Sequence, residues 1–205
     1  MSYSAEFKTV DLVLALNAET SGVDAFALSL IKAERQIRKL FTYLVFQSPA
    51  FLTTADILCL IKTLAADRYV YFNGVVTGFD ALSPTPVKEL IGPEYGRLWA
   101  RFCEFARFRN KIFHGQLTGE DLTTVELRTN VDDIKLWCRL LAKRATCELG
   151  YDGFARDSFR KSPMPDLANR LQVKIESVEQ YAAFIAAHMH MRKSTSSRAR
   201  ADVRK

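Results

Sequence analysis

PEYGRLWARFCEFARFRNKIFHG, residues 93–115, reads as a single amphipathic helix and sets the fold class of this 205-residue chain. Pro93 suits a first-turn position, where its missing N–H would have no partner anyway, and Gly115 suits the position just past a helix end. At about 100° per residue, Leu98, Phe102, Phe105 and Ile112 fall within roughly 80° of one another, so one face is apolar. Arg109 lies in the middle of that stripe. Arginine is rarely fully buried unless paired, because an unpaired buried charge costs several kcal/mol. Arg109 therefore needs a counter-ion, either Glu34 or another acid on a neighbouring helix, or an anion arriving at a cleft or subunit interface. Asn110 and His114, at i and i+4, share a different side of the helix, so one straight helix does not aim Arg109 and His114 at the same point. A His in the last turn followed by Gly also suits the negative end of the helix dipole without any further role.

The rest of the chain has the same periodicity. Phe26, Leu30, Ala33, Ile37, Leu40, Phe41 and Leu44 recur at three- and four-residue steps, which predicts a long helix from about Val23 to Phe46, ended by Pro49. Thr53 with Asp56 marks the start of a second helix through Ile57, Leu60, Ile61 and Leu64. The aromatic, glycine-containing stretch 67–82 is a weaker helix, and Tyr69, Tyr71 and Phe72 read as bundle core. Further helices are expected over about Val131–Leu149 and Val178–Met191, the latter with a Ser177/Gln180 capping box. No alternating run or internal repeat interrupts the pattern. The expected fold is all-α, an up-and-down helical bundle with extra helices in one domain over residues 1–191. Residues 192–205 form a separate basic tail, expected to be disordered for want of apolar residues.

Composition narrows the function classes. Hydrophobic residues make up 48% and charged residues 25%, an ordinary globular balance, and no apolar run approaches the length of a membrane span. The N-terminus lacks the basic-then-apolar pattern of a signal peptide, so a cytoplasmic protein is expected. In that compartment Cys59, Cys103, Cys138 and Cys147 are expected as buried, reduced thiols. The net charge of +6 sits mostly in the tail, where six Lys or Arg meet one Asp, leaving the body close to neutral. The tail suits nonspecific phosphate contacts, or simply solubility.

The string Arg109-Asn110-Lys111-Ile112-Phe113-His114-Gly115 resembles the motif of the HEPN superfamily, R-(N/H/D)-x3-5-H near the end of a core helix. The resemblance is specific over these seven residues, and residues 23–150 are compatible with the family's four- or five-helix bundle. It implies a metal-independent endoribonuclease that acts as a homodimer, two motifs facing one cleft, in a toxin or defence role. Arg109, Asn110 and His114 would be catalytic, no cofactor or metal would be needed, and a regulatory or antitoxin protein is a possible partner beside RNA. Many HEPN domains keep the fold without cleaving, so a non-catalytic RNA-binding or scaffold module, or one member of a toxin–antitoxin pair, is the alternative. Where one toxin subgroup continues the motif as H-x-Y, this chain has Gln116, and that subgroup's tyrosine-directed regulation does not carry over.

Beside the motif, Lys111 and Arg107 are candidate RNA contacts. So are Arg156, Arg160 and Lys161, in a stretch where Phe154 and Phe159 alternate with basic residues, the pairing that stacks bases and holds phosphates. The plainer reading is that both aromatics plug the bundle beneath a surface loop. His188 and His190 diverge by about 200° on a helix and do not read as a chelating pair.

Overall fold

The computed structural model describes residues 3–16, 18–113, 123–155 and 157–190. Its helices in chain order are α1 (Tyr3–Ala15), α2 (Ser21–Val45), α3 (Thr54–Ala66), α4 (Phe72–Leu82), α5 (Val87–Ile91), α6 (Tyr95–Phe113), α7 (Thr124–Leu149), α8 (Leu167–Arg170) and α9 (Val178–His188), with a 3-10 turn at Gly92–Glu94 before α6. Among the described residues there is no strand, and the one isolated bridge joins Val70 to His190. The all-α expectation holds.

The long helix α2 is the axis on which the others are laid. All seven residues of its apolar stripe, from Phe26 to Leu44, are buried. α7, α4 and α1 pack around it, and α6 packs on α7. A polar seam fixes the α6–α7 register: Arg97 reaches Asp133 at 2.6 Å, and Arg101 donates to the buried Asn130. Between them Trp137 of α7 is fully buried against Phe72, Tyr95, Trp99 and Phe102.

Helix starts follow local chemistry. Thr53 and Asp56 form the reciprocal capping box that their spacing suggests. A second box, Thr123 with Glu126, starts α7 seven residues before Val131 and brings Leu127 into the core. Gly150 closes α7 in the left-handed region. At α9 the Ser177 hydroxyl accepts from the Gln180 N–H, but the Gln180 side chain reaches the Glu176 N–H rather than closing the box on Ser177. α1 was not foreseeable as a one-sided stripe, because Leu12, Val13, Leu14 and Leu16 spread apolar residues around it. It still seals Phe7 and Val10 into the core, and Tyr3 donates to the Lys135 carbonyl of α7.

Two expectations are corrected. Of the cysteines only Cys138 is buried; Cys59, Cys103 and Cys147 are free and exposed, each on the outer face of its helix. Tyr69 and Tyr71 are exposed rather than core, because the segment before α4 spends its burial on Val70 and Phe72, which leaves the alternate residues outside.

The α3–α4 linker is tied to the end of α9. The Asp67 carboxylate lies 2.6 Å from His190 Nε2, beside the Val70–His190 bridge. Burial pushes the Asp67 carboxyl up, but hydrogen bonds from His190 and the Tyr69 N–H outweigh it and hold the group below its ordinary value of 3.8. A depressed carboxyl contributes stability that is present above the unfolded-state pKa and lost as pH falls through the folded one. Asp67→Asn is therefore expected to lower the melting temperature near neutrality, and the gap to wild type is expected to close as pH drops below about 4. Thermal melts of both proteins across that range check it; a gap that stays constant assigns Asp67 no such role.

Candidate functional site

The carboxyl-terminal half of α6 carries the motif. Leu98, Phe102, Phe105 and Phe108 are buried, and Arg109 emerges beside them with 28% of its side chain exposed. It lines a pocket of about 30 Å³, room for one water, with Leu30, Glu34, Phe72 and Phe102. Arg109 Nη1 donates to Glu34 Oε2 at 2.9 Å. Glu34 Oε1 accepts from Arg38, through Nε at 3.1 Å and Nη2 at 2.9 Å, and Arg38 Nη2 also donates to the Val70 carbonyl at 2.8 Å. One carboxylate thus holds two guanidiniums. The counter-ion that the position of Arg109 demands is Glu34.

Asn110 and Lys111 lie on the α6 backbone, their side chains outside the described residues; His114 falls outside altogether, as do Arg156 and the 192–205 tail. Arg107 is exposed. Arg160 stacks over the Tyr151 ring at 5.1 Å. The Lys161 ammonium donates to the carbonyls of Phe46, Ser48 and Phe51 at 2.6, 2.7 and 3.0 Å, so it caps the end of α2, and desolvation there lowers its pKa. Phe154 is buried against Tyr3 and Phe7, and Phe159 packs edge-on against Phe46. Ala155, Phe159 and Lys161 brace α2 and its end while Phe154 packs on α1, with both aromatics in the plugging role.

The structure adds residues that the sequence reading passed over. On α2, Arg35, Arg38 and Lys39 border an open groove of about 600 Å³ that runs from Glu34 to Phe159, with Ile31, Thr42 and, from α3, Ile61, Leu64 and Ala65 completing its lining. Lys39 donates to the Ala155 carbonyl, and desolvation lowers its pKa. A signal existed: Ile31, Arg35, Arg38 and Thr42 recur at helical spacing on the side of α2 away from its core stripe. Elsewhere Asp67 and His190 form a pair only, and among the described residues no three His, Cys, Asp or Glu side chains gather closely enough to hold a metal ion. No described helix is long and apolar enough to cross a membrane.

Comparison of the chain with protein-family models, with curated proteins and with solved structures found no match.

Proposed function

We propose that the chain is a cytoplasmic, metal-independent endoribonuclease of the HEPN type, working as a homodimer in a toxin or defence role. The observation that carries this reading is Arg109, a guanidinium held by Glu34 at the rim of the core with 28% of its side chain exposed, beside the buried aromatics of the motif helix. Its neighbours on the same stripe, Leu98, Phe102 and Phe105, are apolar and buried, so an aliphatic side chain would pack there with no charge to desolvate. A guanidinium kept at such a position, immediately before Asn110 and five residues before His114, suits binding of a phosphate.

The chemistry requires little else. RNA supplies its own nucleophile: the 2′-oxygen bonds to phosphorus and the bond to the 5′-oxygen breaks. His114 of one protomer takes the 2′-hydroxyl proton, and His114 of its partner gives one to the leaving 5′-oxygen. Arg109 holds the phosphoryl oxygens and stabilises their growing charge, while Asn110 orients the imidazole or the phosphate. The products are a 2′,3′-cyclic phosphate and a 5′-hydroxyl.

A second reading rests on the same pair. With Glu34 as its partner, Arg109 serves as a brace between α2 and α6, and the chain is a non-catalytic HEPN-like RNA-binding or scaffold module, or one member of a toxin–antitoxin pair. Incubation of the purified chain with total RNA in EDTA separates the two. Cleavage leaving cyclic phosphate ends is expected, from a species of twice the 23.2 kDa chain mass. Absence of cleavage by the dimer transfers support to the second reading, cleavage that EDTA stops contradicts the metal-free mechanism, and a strict monomer removes the two-copy site.

A further inference from the structure

We propose that the groove between α2 and α3 docks an acidic amphipathic helix from a partner protein. α3 packs against α9 rather than against α2, which leaves a channel between them. Its α2 wall runs from Ile31 to Thr42, about 17 Å at ~1.5 Å per residue, which is about three turns of an added helix. Its floor is aliphatic. Ile31 of α2 is 51% exposed and Ile61 of α3 is 45% exposed, with Leu64 and Ala65 beside them. Leu58, Ile61 and Ala65, at i, i+3 and i+7, form a stripe on α3 that no described element covers, and Leu58 too is exposed. Exposed aliphatic side chains grouped on a groove mark an interaction surface.

Charge selects the occupant. The α2 wall presents Arg35, Arg38 and Lys39 against one acid, Glu34, so a ligand with carboxylates along its flanks is complementary. Outside the lining the nearby acids have partners of their own: Glu6 is shared by Lys32 and Arg35, Asp152 accepts from the backbone N–H groups of Phe154 and Ala155, and Asp157 accepts from the Phe159 N–H. A second copy presenting the same face across a two-fold axis would set cations against cations, which disfavours self-association here. The chain's own basic segment 192–205 carries the wrong sign as well. Single-stranded RNA meets the charge but not the floor, which offers aliphatic side chains where bases want aromatic faces; Phe159 is the one ring in the lining, and it is committed to Phe46. An apolar face at i, i+3, i+4 and i+7 with acidic flanks meets both.

The test is a displayed library of 14-residue peptides, leucines fixed at helical spacing and flanking positions randomised, selected on the full-length chain and counter-screened on Ile61→Glu. Both Ile61 and Arg35 are exposed, and circular dichroism confirms that the variants fold. Enrichment of Asp and Glu at the flanks is expected. The selected peptide should bind roughly fivefold more weakly to Arg35→Glu, from reversal of one rim contact, and at least about tenfold more weakly to Ile61→Glu, which sets a charge in the apolar floor. Binding should persist in His114→Ala whether or not the chain cleaves RNA, which separates this proposal from the ribonuclease reading. No enrichment, enrichment of neutral or basic flanks, or binding indifferent to both variants overturns it. So does an oligoribonucleotide that binds and is lost with both substitutions, or a dimer that Ile61→Glu dissociates.

Discussion

His114→Ala is expected to lower RNA cleavage by at least about a hundredfold, the smaller end of what a positioned general acid or base contributes. In a two-copy site each imidazole is both the base of one cleft half and the acid of the other, so the single substitution removes two proton-transfer groups. Wild-type activity should follow a bell-shaped pH profile, because one imidazole must be neutral to take a proton while its twin is charged to give one. Arg109→Lys provides the companion measurement. It keeps the charge but not the two-pronged geometry, and should cost rate while leaving RNA affinity nearly unchanged. Arg109→Ala is less informative, because it also strips Glu34 of one of its two cationic partners. Full activity in a folded His114→Ala chain would refute the catalytic assignment.

Gly74→Ala is expected to destabilise the chain although it puts the better helix former inside a helix. In an unobstructed helix this change gains about 0.5–1 kcal/mol. At Gly74 a new Cβ would stand 2.0 Å from the Met189 carbonyl oxygen, a backbone atom that no rotamer change can move aside. α4 and the end of α9 would have to separate, dragging Met189 out of the core, and overpacking of this kind costs about 1–3 kcal/mol. The net loss should lower the melting temperature by several degrees. Gly96→Ala is the control: Gly96 is exposed near the start of α6 with nothing within 4 Å of the new Cβ, and the change should raise stability. A Gly74→Ala protein as stable as the control would show that α4 and α9 do not approach as described.

The α2 stripe and the Thr53–Asp56 box were legible because each is a local pattern whose outcome tertiary packing does not alter. Arg109 was legible as an anomaly, and even its partner Glu34 was among the named options, since an arginine in an apolar stripe leaves few alternatives. Other features depend on where a third element falls. The exposure of Ile61 follows from α3 leaning on α9 instead of α2, and no periodicity within α3 records that choice. Lys161 looked like a phosphate contact because its charge is visible in sequence while the three carbonyls that receive it, at 46, 48 and 51, lie more than a hundred residues away. The early start of α7 is written in Thr123 and Glu126, but the polar residues between that box and Val131 interrupt the apolar periodicity.

The outward-facing cysteines would give the proposed dimer a ruler. Cys103 lies on α6 six residues before Arg109, exposed, while Cys138 is sealed in the core. With Cys59 and Cys147 changed to serine, a nitroxide probe attached to the remaining accessible thiol would mark one point per protomer. Dipolar spectroscopy between two such points would then report how far apart the paired α6 helices stand.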